Sequence, residues 1–206
     1  MRRILRWIVS LLVPLFMRLE VVGRENFPPQ GPYILVTNHL SAYDTPLLFA
    51  LCPHHVRAFA ASKHRSHPIF GPALAVGGSI WVRRGEIDRQ ALQEALAWLE
   101  EGGVLGMAPE GTRARQVYAL QRGKTGAAYL ATRANVPILP VGLTGTERIK
   151  EELPRLRRAR VRVVIGELFR LPEVERPGRE ELDRYTDLIM RRIAALLPPE
   201  YRGLYA

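Results

Sequence analysis

Tyr33-Ile34-Leu35-Val36-Thr37 is an apolar run rich in β-branched residues that stops abruptly at Asn38-His39 and gives way to small and polar residues, the pattern of a buried strand ending in a turn. Short runs of the same kind recur near 56–61, 79–82, 103–108, 137–143 and 160–166, and between them lie helical stretches near 44–51, 68–76, 87–101 and 122–134. Such alternation predicts an α/β fold with a largely parallel mixed sheet flanked by helices, because parallel strands need a crossover between them. At 206 residues and 47% hydrophobic the chain can bury one sizeable core, and without an internal repeat or low-complexity tract it reads as a single domain. From Glu180 to Leu197 the residues Leu182, Tyr185, Leu188, Ile189, Ile193, Leu196 and Leu197 fall at helical spacing, and Pro198-Pro199 ends the run. A core-packing C-terminal helix is expected there.

In sheets of this class ligands bind outside the carboxyl ends of the strands, and two of those ends carry functional groups. After the first, Asp44-Thr45-Pro46 offers an acidic or hydroxyl N-cap with proline early in the helix. The turn between them can fold the Asp44 carboxylate back onto one nitrogen of His39, fixing the tautomer and freeing the other nitrogen to take a proton. The alternative is a surface histidine beside a capping aspartate. The second end runs Gly102-Gly103-Val104-Leu105-Gly106-Met107-Ala108 into Pro109-Glu110-Gly111-Thr112-Arg113. Gly111 permits close backbone approach or a positive φ, Thr112 brings a hydroxyl, and Arg113 brings a planar fork suited to phosphate. Alone, this is as readily an ordinary turn. Together, a base and an anion clamp point to chemistry on a phosphorylated substrate.

Four ordered blocks carry a resemblance: Asn38-His39-Leu-Ser-Ala-Tyr-Asp44, Gly78-Ser-Ile-Trp81-Val82-Arg83-Arg84, Ala108-Pro109-Glu110-Gly111-Thr112-Arg113, and Val136-Pro137-Ile138-Leu139-Pro140-Val141. In order and spacing they resemble the glycerolipid acyltransferase family, most closely the bacterial 1-acylglycerol-3-phosphate (lysophosphatidate) acyltransferases, over about residues 20 to 170. The departures are Trp81 and Ala108 where phenylalanine is usual, and Ala114 where serine often follows the arginine. None removes a reactive group. The resemblance implies a glycerol-3-phosphate acyltransferase-like fold in which His39 is the general base, Asp44 orients it, and the acceptor oxygen attacks an acyl thioester without an acyl-enzyme. It implies that Arg84, Glu110, Gly111, Thr112 and Arg113 bind the substrate, through the acceptor's glycerol phosphate. Lys63 resembles a basic position between the first two blocks, whereas Arg83 reads as a solvated neighbour. No resident cofactor is implied, since acyl-coenzyme A or acyl carrier protein (acyl-ACP) enters as co-substrate. The same mechanism could serve glycerol 3-phosphate or another lysolipid, and a non-catalytic lipid-binding member of the fold is the alternative of a different class.

Trp7 to Met17 is apolar apart from Ser10 and Pro14, with Arg2, Arg3, Arg6 and Arg18 around it. It is shorter than the roughly 20 apolar residues that span hydrocarbon, and Arg18-Leu19-Glu20 offers no small-residue cleavage site. On a helical wheel Ile4, Leu5, Ile8, Leu11, Leu12, Leu15, Phe16 and Leu19 form one stripe, with Arg2, Arg6 and Ser10 away from it. This predicts a membrane-interface amphipathic helix over residues 1–19, kinked at Pro14, ahead of a catalytic domain over 20–206; the competing reading packs the stripe on that domain. Lys and Arg exceed Asp and Glu by ten, with a dense run at Arg155, Arg157, Arg158, Arg160 and Arg162. Such a face suits an anionic membrane surface, the phosphates of coenzyme A or an acidic acyl carrier protein, and part of it suits a solvated strand edge. Nucleic acid is not expected as a partner, because no helix-turn-helix, zinc-finger or RNP-like pattern gives the charge a docking geometry. The single cysteine excludes an intramolecular disulfide and fits a peripheral protein on the cytoplasmic side of the cell membrane.

Cys52, His54, His55, His64 and His67 cluster in the sequence, but their spacing matches no zinc arrangement, and no metal is expected. Gly123-Lys124-Thr125 ends like a phosphate-binding loop, yet Tyr118 stands where the upstream glycine is required. Lys124 is instead placed at the start of the helix that follows the clamp turn.

Overall fold

The computed structural model describes residues 1–68, 70–83, 88–113, 118–174 and 177–206. Its strands are β1 (Met17–Val22), β2 (Tyr33–Thr37), β3 (Val56–Ala61), β4 (Ile80–Val82), β5 (Val104–Met107), β6 (Ile138–Thr144) and β7 (Ala159–Ile165). The helices are α1 (Arg2–Phe16), α2 (Asp44–Leu51), α3 (Phe70–Gly77), α4 (Arg89–Glu100), α5 (Gly126–Arg133), α6 (Ile149–Glu152) and α7 (Arg179–Ala194). The strands form one sheet in the order β1-β7-β6-β2-β5-β3-β4. Only the β6–β7 pairing is antiparallel among these, so β6, β2, β5, β3 and β4 run one way while β7 and β1 run the other.

β2 lies at the centre, and all five of its residues are buried. Its side chains alternate between the two faces: Ile34 and Val36 meet α4, α5 and α7, whereas Tyr33 and Leu35 meet the layer built on α2. Helices on both faces explain why β2 and β6 read as continuous apolar runs. Towards the β1 edge the pattern becomes period-two, with Val161 and Val163 buried while Arg160 and Arg162 face solvent. There Arg162 pairs with Glu20 at 3.3 Å, directly across the β1–β7 register.

Three expected boundaries move by three residues or more. The helix expected over residues 1–19 ends at Phe16, because Met17 turns extended and pairs with Ala159, and Arg18, Leu19 and Glu20 belong to β1. Their alternation of polar and apolar residues was a strand signal beside a helical stripe. The helix expected at 122–134 begins at Gly126, since the Lys124 amide donates to the Pro109 carbonyl at 2.8 Å and pins the preceding residues to the clamp turn. The C-terminal helix runs Arg179–Ala194, with Leu196 and Leu197 in tighter turns bonded to Ile193 and Ala194.

α1 is apolar on two sides. Val13 and Phe16 pack on the core, and Arg2 and Arg6 reach the domain too, donating to the carbonyls of Val76 (3.1 Å) and Pro53 (3.1 Å). Ile4, Trp7, Ile8, Leu11, Leu12 and Leu15 face outward. Among the described residues no helix is long and apolar enough to cross a membrane.

Candidate active site

Where β2 ends, the Asn38 side chain takes over its ladder. Asn38 Nδ2 donates to the Leu143 carbonyl at 2.9 Å and Oδ1 accepts the Leu143 amide at 2.8 Å, so a side chain replaces a strand partner and locks the end of β2 to β6. His39 therefore leaves the sheet at a fixed point. Asp44 is not the N-cap of α2; Tyr43 occupies that position without a side-chain cap bond, and Asp44 lies in the first turn. Its carboxylate folds back. Oδ2 accepts the amides of Leu40 and Ser41, both at 2.8 Å, and meets His39 Nδ1 at 2.7 Å. Oδ1 accepts the hydroxyls of Ser41 at 3.2 Å and Thr146 at 2.5 Å.

Asp44 is 1% exposed. A buried carboxylate ringed by donors can only accept, so His39 Nδ1 carries the proton and Nε2 keeps a free lone pair. The imidazole side chain is 19% exposed, enough for a substrate to reach it. The arrangement has the geometry a general base requires, a partly exposed imidazole held by a buried carboxylate.

Glu110 braces the same loop from the end of β5. Its Oε1 accepts the His39 amide at 3.2 Å and its Oε2 accepts the Gln121 amide at 3.0 Å. Burial pushes its carboxyl above the usual carboxylate range, against the pull of those two amides. With both oxygens bonded to backbone, Glu110 joins the base loop to the clamp, a tie that its sequence grouping with substrate ligands did not reveal. Gly111 takes φ +70°, and a Cβ there would lie 3.0 Å from Lys124 Nζ. The Lys124 ammonium therefore lies over the turn beside Thr112 and Arg113, both of which solvent can reach. Two cations and a hydroxyl thus belong to or border one turn at this end of the sheet, the composition of an anion-binding rim. Lys63 is exposed just past the carboxyl end of β3, the neighbour of β5. Arg83 is solvated, its amide donating to Asp88 at 3.1 Å, and Arg84 lies outside the described residues.

Thr146 is the group that sequence reasoning missed. It is fully buried and follows β6 through Gly145, whose φ of +86° and contact with the Arg160 carbonyl leave no room for a side chain. The available signal was a third apolar strand ending in glycine and a hydroxyl, Gly142-Leu-Thr-Gly145-Thr146. Thr146→Val should lower stability by roughly 1.5–3 kcal/mol, the worth of a hydrogen bond to a charged group, and lower kcat with the acceptor KM unchanged. Thr146→Ser should restore both, which melting curves and steady-state kinetics on the three proteins would check.

The C-terminal segment braces the rim from behind. Leu120 donates to the Tyr201 carbonyl at 2.9 Å, and Gly123 donates to the Tyr205 hydroxyl at 3.3 Å. Burial, with the neighbouring Glu147 carboxylate, pushes the Tyr201 hydroxyl up to about 12, so it stays a donor to Glu147 Oε1, at 2.7 Å. The cysteine–histidine cluster is divided between the two ends of β3, with Cys52, His54 and His55 before its amino end and His64 and His67 after its carboxyl end; at the amino ends of β2 and β3 the first three gather. There the Tyr33 hydroxyl meets Cys52 Sγ at 3.3 Å and His54 Nδ1 at 3.0 Å, and His55 lies between Arg2 and the Gly77 carbonyl.

The sequence model of the Acyltransferase family matches residues 18–144, which hold all four blocks. A 1-acyl-sn-glycerol-3-phosphate acyltransferase of Chlamydomonas reinhardtii is 30% identical over 96% of this chain and 58% of its own length. The enzyme of that name from Bacillus subtilis is 23% identical over 86% of this chain and 87% of its own. The chain spans about half the length of the first curated relatives it matches, 58% of the algal protein and 44% of the sheep and yeast proteins. A crystal structure of the 1-acyl-sn-glycerophosphate (LPA) acyltransferase from Thermotoga maritima superposes with a TM-score of 0.71 at 24% identity, covering 95% of this chain and 79% of that one. That likeness places the fold.

Proposed function

The chain belongs to the Acyltransferase family, and from that premise we propose that it moves a fatty acyl group from an acyl thioester to the free hydroxyl of 1-acylglycerol-3-phosphate, giving phosphatidate. His39 Nε2 takes the hydroxyl proton as the oxygen attacks the thioester carbonyl. Collapse of the tetrahedral intermediate breaks the carbon–sulfur bond, and the proton held on His39 passes to the departing thiolate. Asp44 keeps the imidazole oriented and stabilises its transient charge. Arg113, Lys124 and Thr112 hold the acceptor phosphate, joined by Arg84. The observation that carries this reading is the 2.7 Å contact between His39 Nδ1 and a fully buried carboxylate, with Nε2 left free on the sheet end that bears the cationic rim. Coenzyme A and acyl carrier protein thioesters are both candidate donors.

The protein works as a peripheral enzyme on the cytoplasmic side of the membrane, its acceptor and product both being lipids. The outward apolar face of α1 supports the membrane contact, since six large hydrophobic side chains on one helix face suit a lipid interface.

Transfer of a labelled acyl group to lysophosphatidate in detergent micelles tests the proposal, with coenzyme A and acyl carrier protein thioesters as parallel donors. Arg113→Ala should raise the lysophosphatidate KM about 10- to 100-fold, the range for a lost charge-assisted hydrogen bond, and leave a phosphate-free lysolipid unaffected. Failure of both donors overturns the reaction. A KM that does not respond to Arg113→Ala removes the phosphate clamp.

A further inference from the structure

The chain between α6 and β7 ends in a feature that packing does not explain. Leu153–Arg155 form a short 3₁₀ turn, and Leu156 then takes φ +54° with its side chain 97% exposed. The tip is a built turn, because the Leu156 amide donates to the Leu153 carbonyl and the Arg157 amide to the Glu152 carbonyl, both at 3.0 Å. Left-handed backbone is unfavourable for a leucine, and here it delivers an apolar side chain to water. Leu153 beside it is also exposed, and the exposed Arg155, Arg157, Arg158 and Arg160 neighbour the pair in the sequence.

Strand register locates this tip. β7 runs antiparallel to β6, with Thr144 opposite Arg162, so the start of β7 lies beyond the carboxyl end of β6. That is the end of the sheet that carries His39, Glu110 and Thr146. Met17, the first residue after α1, is paired with Ala159 at the same level, and Arg158 Nη1 donates to the Pro14 carbonyl of α1 at 3.2 Å. The exposed leucine and its arginines thus lie at the sheet end that carries His39, on the side where α1 passes into β1.

We propose that the Leu153–Arg158 loop is a second membrane-seating element, inserting Leu156 into an anionic bilayer beside α1 and so holding the catalytic end of the sheet at the lipid surface. This rests on the reading of the site as a lipid acyltransferase and adds the orientation in which it meets its substrate. A leucine tip flanked in the chain by exposed arginines matches a surface that is apolar beneath and negative above, with the arginines drawn to headgroups while the side chain enters the acyl boundary. One helix lying on a membrane leaves the tilt of the attached domain weakly fixed. A second contact at the end of that helix removes the freedom.

Leu156→Cys, labelled with an environment-sensitive fluorophore, reads the contact without any turnover, since Cys52 is buried. Vesicles of phosphatidylcholine with phosphatidylglycerol should shift the emission to the blue, and a lipid-borne quencher should dim it. Pure phosphatidylcholine should do much less. In sedimentation with the same anionic vesicles, Arg155→Ser with Arg157→Ser should weaken binding on the order of 25-fold, roughly fivefold for each cation near the surface. Leu156→Ser should lower turnover of vesicle-borne acceptor and leave that of a monomeric short-chain acceptor unchanged. An unchanged spectrum on vesicles that do sediment the protein overturns the proposal, because α1 alone would then be the anchor. A label that responds to acyl carrier protein and not to vesicles overturns it as well, in favour of a protein dock. Absence of acyl transfer alongside a blue shift would sink the enzymatic reading and leave the membrane contact standing.

Discussion

His39→Ala should lower kcat for acyl transfer by about 10² to 10⁴-fold, the range supplied by a positioned general base, and leave the fold intact. The separation of these two effects follows from the hydrogen bonds. Asp44 loses one donor and keeps four, the amides of Leu40 and Ser41 and the hydroxyls of Ser41 and Thr146. Glu110 keeps its bond to residue 39, which comes from the backbone amide. The site thus survives without its imidazole, and the alanine variant should melt within about 1.5–3 kcal/mol of the parent, the worth of one hydrogen bond to a charged group. Lysophosphatidate should bind as before, because the cationic rim is untouched. Single-turnover transfer, read together with thermal melting, checks both halves. Equal rates in variant and parent would remove His39 from the chemistry. A rate lost together with the fold would leave the base role unsupported.

How much of this was legible beforehand depends on the range of each interaction. β2, α2 and β3 announce themselves by local periodicity and punctuation, and the sequence places their limits at or next to those observed. The strand-end rule gathers His39 and Glu110 at one edge without any knowledge of strand order. Thr146 was not legible, because its meaning comes from an oxygen 102 positions away, and a lone hydroxyl after a glycine has no distinctive chemistry. Lys124 belongs to a phosphate-loop-like run that lacks its upstream glycine, yet it reaches the Gly111 turn because its backbone is tied to Pro109. Glu110 illustrates the same limit: its motif groups it with ligands, while its burial and two amide partners make it a strut. The α1 stripe was visible on a wheel, but a helix apolar on two sides does not say which side the domain covers. The domain takes Val13 and Phe16 and leaves Leu11, Leu12 and Leu15 outside.

Asp44→Asn separates charge from architecture at this site. The asparagine oxygen can occupy the place of Oδ2 and accept His39 Nδ1, Leu40 N and Ser41 N as before. Its amide nitrogen then faces the hydroxyls of Ser41 and Thr146, which can rotate to accept instead of donate. The variant should therefore fold, with stability close to the parent. What it lacks is the negative charge that offsets the imidazolium formed as His39 takes the proton, in a buried setting where such an interaction is poorly screened. A loss of kcat within the general-base range, about 10² to 10⁴-fold, is expected here with the acceptor KM little changed. Asp44→Ala should behave differently. It strands the buried amides of Leu40 and Ser41 without an acceptor, each at about 1–3 kcal/mol, so it should melt well below the parent in addition to losing activity. Retention of near-parental kcat by Asp44→Asn, with Asp44→Ala failing only because it unfolds, would make the carboxylate a scaffold for the Leu40–Ser41 turn. A full loss of kcat in a well-folded Asp44→Asn assigns it to the proton transfer itself, since the arrangement of donors around residue 44 would then be the same in the active and inactive proteins.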